Sequence, residues 1–441
     1  MRLPKLLPPL FFSVGLPTRL AIFWRARIGR PKTGATRRQS VSFLVVRLDS
    51  LGDVVITTPL FRALKTAFPR SHCTAVVQQS YKSLLATNPH IDEILTLPSI
   101  HPAWLPQGLR RLLAALVFYW SNLRKGHFDC AISPRWDTDE HLATLLCVLS
   151  NAGTRVGYTE QATAAKQKMN RGFDGAFDRC LQPGPVQHEV LRTLAVAAVV
   201  GAPSCDGRLD IHITAHDRRR ASRLLEKAPA SARLVALGIG AQSPGRRWPL
   251  KRYAETIAKL NRLHPVCPVI VCSESEFGDA LKLAQLLPHR PVIVSGEQLR
   301  RVCAVLERCE LFIGNDSGCA HLAAAMGCNT LVISRHARNG DRNHYNSPVR
   351  FAPYARRVRV LQPTSGLEGC RQACVFPRPH CILQISADEA FAAAHQLMVR
   401  RSEPAAPRVA AQFPESILQA ITQGHTTGGE WAEPLEVRPD A

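Results

Sequence analysis

The chain has 441 residues, enough for two ordinary domains and too many for one comfortable core. Hydrophobic residues make up 46%, which excludes global disorder, and Lys plus Arg outnumber Asp plus Glu by 56 to 34, a formal charge of +22 that implies anionic partners. Helix-turn-helix, zinc-finger and RNA-binding signatures are absent, so no nucleic-acid partner is expected; no apolar run reaches the ~18 residues of a membrane span; and 14 cysteines without a secretory signal read as reduced thiols of a cytoplasmic protein.

Residues 1–40 read as an N-terminal extension. Leu10-Phe11-Phe12, Leu16 and Leu20 to Trp24 are apolar, and Arg19, Arg25, Arg27 and Arg30 punctuate and follow them. Two readings stand side by side: a segment in a membrane interface, with Trp24 and the arginines at headgroup level, or a flexible extension. From Val41 the chain alternates strands and helices. Ser42 to Arg47 predicts a buried parallel strand, followed by the loop LDSLGD and a helical stretch to about Phe68. Pro59 leaves two options: a helix that begins near Asp53 and bends, or one capped by Thr58 with Pro59 in its first turn. Further strands are expected at Cys73 to Gln78, Ile91 to Leu97 and Phe128 to Ser133, with helices at 141–149 and 188–200. Leu109, Leu112, Leu113, Leu116, Trp120 and Leu123 keep helical spacing, and this stripe either packs on the first sheet or meets a membrane. Residues 159–185, polar and Gly-rich, read as a long loop.

The second half repeats the alternation. Strands are expected at Leu234 to Ile239, Pro268 to Cys272, Pro291 to Val294, Leu311 to Gly314 and Thr330 to Ile333, with helices near 250–263, 276–287, 297–308 and 318–326. This spacing predicts parallel sheets covered on both faces, with ligands at the carboxyl ends of the strands. The expected division is an extension at 1–40, one Rossmann-like domain at 41–205, a second at 206–401, and a mostly disordered tail at 402–441.

Three strand-following loops carry candidate chemistry. In Leu51-Gly52-Asp53, a carboxylate sits at a strand's carboxyl end and Gly52 lets a ligand approach the backbone; from the loop alone, the plainer reading that Asp53 only caps the next helix comes first. The loop from Gly240 to Pro249 holds Ser243 and two adjacent guanidiniums, Arg246 and Arg247, which suit a diphosphate, though a solvated basic turn has the same composition. In Asn315-Asp316-Ser317-Gly318-Cys319-Ala320-His321 a strand ends and a helix begins, so free backbone N–H groups, the Ser317 hydroxyl and His321 face one point. The plainer alternative is that Asp316 or Ser317 caps the helix and His321 is packed.

In this order, RLDSLGDVVITTPLFRAL, LGIGAQSPGRRWPLKRYAETIAKL, LFIGNDSGCAHLAAAMG and RFAPYARRVRVL together resemble glycosyltransferase family 9, the lipopolysaccharide heptosyltransferases. The resemblance runs from about Val41 to Arg400. It implies a GT-B architecture of two Rossmann-like domains across a cleft, acceptor side first and donor side second. It implies an ADP-heptose donor, a lipid-linked or phosphorylated saccharide acceptor, inversion at the anomeric carbon, and no obligatory metal or cofactor. By resemblance Asp53 is the catalytic base; Arg246, with Arg247 beside it, stands where family members often have a phosphate-binding Lys; and Asp316, Ser317, Gly318 and His321 form the donor-site signature, with Gly52 and Ser243 in the adjoining loops. Such an acceptor implies work at the anionic inner face of the cytoplasmic membrane.

The chain departs from the family at 334–347, where SRHARNGDRNHYNS replaces a Gly-Pro-Thr-Asp loop and opens the choice of donor. Cys370, Cys374 and Cys381 with His380 offer four potential ligands, but the spacing lacks a CxxC pair, and free thiols are expected instead of a metal. The competing functions are transfer of another activated sugar, sugar-nucleotide epimerisation, and a glycosyltransferase-like binding protein without catalysis. A dinucleotide-dependent oxidoreductase is disfavoured because Gly238 and Gly240 supply only half of its glycine pattern.

Overall fold

The computed structural model describes residues 15–28, 40–100, 104–202 and 206–399. The apolar triplet at 10–12, Arg30 and the tail at 402–441 lie outside the described residues. Two parallel sheets of six strands organise the chain. The first takes β1 (Ser42–Val46), β2 (His72–Gln78), β3 (Glu93–Leu97), β4 (Cys130–Ser133), β5 (Thr154–Tyr158) and β6 (Arg179–Leu181), in the order 3-2-1-4-5-6. The second takes β7 (Arg233–Gly238), β8 (Val266–Cys272), β9 (Val292–Ser295), β10 (Leu311–Asn315), β11 (Asn329–Ile333) and β12 (Val358–Leu361), in the order 9-8-7-10-11-12. The two orders are the same doubly wound pattern, each reversing direction beside its first strand.

Helices cover both faces of each sheet. In the first half these are α1 (Gly15–Ile28), α2 (Leu51–Ala67), α3 (Lys82–Leu85), α4 (Gln107–Phe118), α5 (Ala143–Leu149), α6 (Ala164–Met169) and α7 (Glu189–Val199). The second half has α8 (Ala215–Leu224), α9 (Leu250–Leu263), α10 (Phe277–Leu286), α11 (Leu299–Arg308), α12 (Gly318–Ala325), α13 (Pro348–Phe351) and α14 (Ala387–Val399). Strands such as β1 and β10 are apolar along nearly their whole length because helices bury both of their faces. Phe118 and Leu146 fill one face of the first sheet under α4 and α5, and Tyr253 and Leu283 do the same for the second under α9 and α10. A single apolar core, from Val55 and Leu194 to Val305 and Leu322, runs between the facing layers of α2, α7, α11 and α12. The halves therefore meet through packed helices, and α2 touches α12 directly.

The structure differs from the sequence-based expectations at several points. Residues 159–185 are not a loop: they hold α6 and the edge strand β6. Strand β5 was masked by its polar start, but the buried Arg155 is neutralised by Asp178, whose carboxylate accepts from its backbone N–H at 2.9 Å and its Nε at 3.0 Å. Helix α2 starts at Leu51 and runs through Pro59 without ending. Proline removes the N–H that the Val55 carbonyl would have received, and Thr58 Oγ1 donates to that carbonyl at 2.7 Å instead. The stripe at 109–123 packs on the first sheet through Ala115, Phe118 and Leu123, while Leu116, Val117 and Trp120 face outward. The described part of the N-terminal extension, α1, is a helix docked on α5.

Candidate active site

The sheet order brings four loops to one place, since the chain leaves β1 and β4, or β7 and β10, in opposite directions and opens a crevice at their carboxyl ends. All three sequence-selected loops follow one of these strands.

On the first sheet, Asp53 is the third residue of α2. Its Oδ1 accepts from Arg47 Nη2 at 2.8 Å, and its Oδ2 accepts from the Ser50 backbone N–H at 3.2 Å and from Ser50 Oγ at 2.7 Å. The carboxylate thus closes the start of its own helix, as its capping alternative requires, and is also held by a cation. Asp49 extends the cluster, with Arg47 Nε at 3.1 Å and Arg135 Nη1, from the loop after β4, at 2.7 Å. Two carboxylates and two guanidiniums therefore alternate in a largely buried network. Burial by itself raises the Asp53 pKa, but the charges of Arg47 and Arg135 and the Ser50 and Arg47 hydrogen bonds outweigh it and bring the group down to about 2. Burial likewise works against the charge on Arg135, and Asp49 and then Asp53 more than restore it. Sequence reasoning missed Arg47, Asp49 and Arg135. The signal was available for two of them, because charges at the end of an apolar strand must find partners.

On the second sheet, Arg246 Nη2 donates to Asp316 Oδ2 at 2.7 Å and to the Asp316 carbonyl at 2.8 Å, joining the loops after β7 and β10. Arg247 turns elsewhere, to Asp279 at 3.4 Å and Glu276 at 3.7 Å, because the single helical turn at Pro244–Arg246 ends before it and the backbone becomes extended there. The adjacent guanidiniums thus face different partners. Ser243 begins the turn, its carbonyl accepting from Arg246 N–H at 3.0 Å. Asn315 ties the two loops together, accepting from the Trp248 N–H at 2.8 Å and donating to the Ile239 carbonyl at 2.8 Å. Ser317 opens α12 in an extended conformation without a side-chain cap, and residues 316–319 are only half-buried, leaving the helix start accessible. Glu276, which lies across Gly240, was not anticipated.

The two helix starts meet. A Cβ on Gly52 would stand 2.9 Å from His321 Cδ2 and 3.0 Å from Nε2, and one on Gly318 would stand 2.8 Å from the Leu51 side chain. In this structure it is the His321 imidazole that approaches Gly52. His321 is buried, and its Nδ1 has no hydrogen-bond partner among the described residues. Burial lowers its pKa and Arg246 adds to this, against the pull of Asp316 and Asp53, so the ring is neutral near pH 7. Gly52, Asp53, Arg246, Asp316, Gly318 and His321 are thus drawn together across the halves, while Arg247 is not.

A second connection between the halves runs through Arg350. Arg350 is fully buried; its Nε donates to Glu189 Oε1 at 2.8 Å and its Nη1 to Asp137 Oδ2 at 3.1 Å. Its guanidinium stacks over Trp136 at 4.5 Å, with that of Arg192 at 3.5 Å. Arg350 Nη1 also donates to the Asn343 carbonyl at 2.5 Å, so this residue ties the segment that departs from the family pattern to the first half.

The sequence model of glycosyltransferase family 9 (heptosyltransferase) matches residues 119–373, more than half of the 441 residues. The lipopolysaccharide core heptosyltransferase OpsX of Haemophilus influenzae is 23% identical over 319 residues, covering 71% of this chain and 82% of that protein. Lipopolysaccharide heptosyltransferase 2 of Salmonella typhimurium is 23% identical, covering 75% of this chain and 91% of that protein. Among solved structures, a family 9 glycosyl transferase from Veillonella parvula superposes with a TM-score of 0.64 at 21% identity, over 81% of this chain and 97% of its own. The Escherichia coli ADP-heptose lps heptosyltransferase II gives 0.60 at 16% identity, over 82% of this chain and 100% of its own. The paired sheets and facing switch points agree with the sequence match: the chain belongs to glycosyltransferase family 9, and it is a glycosyltransferase of GT-B fold.

Proposed function

We propose that this glycosyltransferase moves a heptose, or a similar sugar, from an ADP-sugar to a lipopolysaccharide core acceptor with inversion at the anomeric carbon. In this reading residues 41–205 hold the acceptor and residues 206–401 the donor. The observation that carries it is the opposition of the Asp53 carboxylate on one half to the accessible start of α12, with Arg246 beside it, on the other. Inverting transfer needs a carboxylate to take the acceptor hydroxyl's proton and cationic or N–H donors to hold the departing diphosphate. Asp53 has the first role. Arg246, Ser317 and the amides from Gly318 onward have the second, with Asp316 orienting Arg246. Gly52, Ser243, Arg247 and His321 line the surrounding loops. Arg47 and Arg135 keep the Asp53 carboxylate ionised, and a positioned general base contributes about 100- to 10,000-fold in rate. The names of the Haemophilus and Salmonella relatives support the sugar and acceptor class.

The test is a transfer assay across ADP-, UDP- and GDP-sugars with a detergent-solubilised core acceptor, reading nucleotide release and the anomeric configuration of the product. Preference for an ADP-sugar with inversion is expected; a preference for UDP- or GDP-sugars would reject the donor assignment. The departure at 334–347 favours a second reading, transfer of another activated sugar, and the same assay decides between them.

Such an acceptor sits in an anionic leaflet, and we propose that α1 docks the enzyme there. Thr18, Ala21 and Ile22 face the body of the protein while Leu16, Leu20, Phe23 and Trp24 are exposed. Leu116, Val117 and Trp120, with Arg124 stacked on Trp120 at 4.6 Å, form a second exposed patch, and both α1 and the turn at 119–123 that carries Trp120 touch α5. No described helix is long and apolar enough to cross a membrane. Binding to anionic liposomes should weaken with salt and on removal of residues 1–30, and equal sedimentation of both chains would reject the anchor.

A further inference from the structure

Beyond the transfer site, four potential metal ligands converge in the segment before α14. Cys370, Cys374 and Cys381 are buried in a small cluster of their own, separate from the apolar cores, and His380 joins them. Their sulfur and ring-nitrogen atoms all lie within 4.8 Å of one another. His380 Nδ1 stands 3.6 Å from the sulfurs of both Cys370 and Cys381. A tetrahedral ion with sulfur at about 2.3 Å and nitrogen at about 2.0–2.1 Å sets its S···N edges at about 3.5–3.6 Å. Two edges of that tetrahedron are therefore already at length.

The surroundings suit bound thiolates. The Leu367 N–H points at the Cys381 sulfur at 3.4 Å, a donor of the kind that steadies a metal-bound sulfur. The His380 ring is fixed by stacking on Phe376, with centroids 4.1 Å apart and planes at 25°. None of the three thiols is in a disulfide. Other buried cysteines, such as Cys130, Cys147 and Cys303, pack among aliphatic side chains and behave as small apolar residues. An imidazole nitrogen set between two sulfurs has no such packing role.

We propose that Cys370, Cys374, His380 and Cys381 bind one divalent transition-metal ion, zinc by the preference of thiolate and imidazole ligands, and that the ion is structural. Four protein ligands close the coordination shell, leaving no open position for substrate. Binding releases the thiol protons and ties a segment with little secondary structure to itself. That segment touches the loop bearing Arg246 and the loop that follows β11. A Cβ on Gly245 would run into the Phe376 carbonyl, Arg335 Nη1 donates to the same carbonyl at 3.2 Å, and the Asp341 N–H donates to the Gln372 carbonyl at 2.8 Å. The ion thus braces the loop bearing Arg246 from behind. The metal site itself is independent of the proposed sugar-transfer reaction.

The full chain, expressed with zinc in the medium and purified without chelator, should carry about one equivalent of metal by elemental mass spectrometry. Cobalt(II) in its place should give the intense visible bands of a tetrahedral thiolate site, and a mercurial reagent should release the ion. Cys374→Ser and Cys381→Ser should each lose most of the metal, whereas Cys272→Ser, outside the cluster, should retain it. Should the cluster variants fail to fold, the wild-type stoichiometry and cobalt spectrum decide alone. Wild-type protein without stoichiometric metal, a cobalt spectrum lacking sulfur ligation, or metal retained in both cluster variants would overturn the site.

Discussion

The two sheets share one strand order, yet their switch points are built from opposite materials. Beside β1 the crevice is filled by the chain's own charges: Arg47, Arg135, Asp49 and Asp53 satisfy one another in a largely buried network. Beside β7 and β10 it is lined by small residues and a half-buried helix start, with Arg246 held at the edge by Asp316. One side presents a fixed, ionised carboxylate; the other presents N–H donors without a side-chain cap. The same topology therefore yields two kinds of site. The difference lies in whether the loop residues neutralise each other or leave the backbone open to an anion.

The contrast is broken most severely at Asp53. Asp53→Asn should lower turnover by about 100-fold or more, while ADP affinity stays within about twofold, because the charge is lost from the first half only. Turnover and calorimetric ADP binding measured on the same preparation check this, and near-normal turnover would remove Asp53 from the chemistry. Next comes Arg246→Ala, which should weaken ADP by about 10- to 100-fold, the loss of a charge-assisted bond of about 1.5–3 kcal/mol. Arg247→Ala, whose side chain faces Glu276 and Asp279, should cost no more than about threefold in the same titration. Equal losses in both variants would mean that the two arginines work as a pair after all.

The contact between the halves can be probed by a double-mutant cycle. Gly52→Ala places a methyl against His321, so it should slow turnover, and His321→Ala in the same chain should relieve part of the loss. A coupling of about 1–2 kcal/mol is expected, and additive effects would show that the two helix starts do not meet during turnover. The smallest effect concerns pH. The Asp53 pKa is depressed from 3.8 to about 2, so the stability it contributes is fully present above 3.8 and is lost as pH falls through about 2. Urea unfolding of the wild type and Asp53→Asn should therefore differ by a constant amount from pH 8 to 5, the gap closing only below about pH 4. A gap that closes between pH 7 and 5 would show that Arg47 and Arg135 do not grip the carboxylate.

Much of the scaffold was legible from periodicity. Apolar runs such as those of β1, β8 and β10 are long, continuous and followed by helical patterns, so burial on both faces is written into them. Strands β5 and β6 escaped because one begins with polar residues and the other has only three. Arg155 is tolerable in β5 only because Asp178, distant in sequence, lies beside it. The lack of a CxxC pair argued against a metal, yet the segment folds so that His380 comes between two of the sulfurs.

The sequence by itself determined the alternation of strands and helices, the three loops at strand ends and the family they resemble, because hydrophobic period, glycine position and helix-start composition are local properties. Only the tertiary structure decided which charges neutralise which. It drew Arg135 to Asp49, parted Arg247 from Arg246, set His321 over Gly52 and buried Arg350 against Glu189 and Asp137. These outcomes depend on distances between residues far apart in the chain. Electrostatic partners in a buried site are chosen by the way the two sheets pack, and no local pattern encodes that choice.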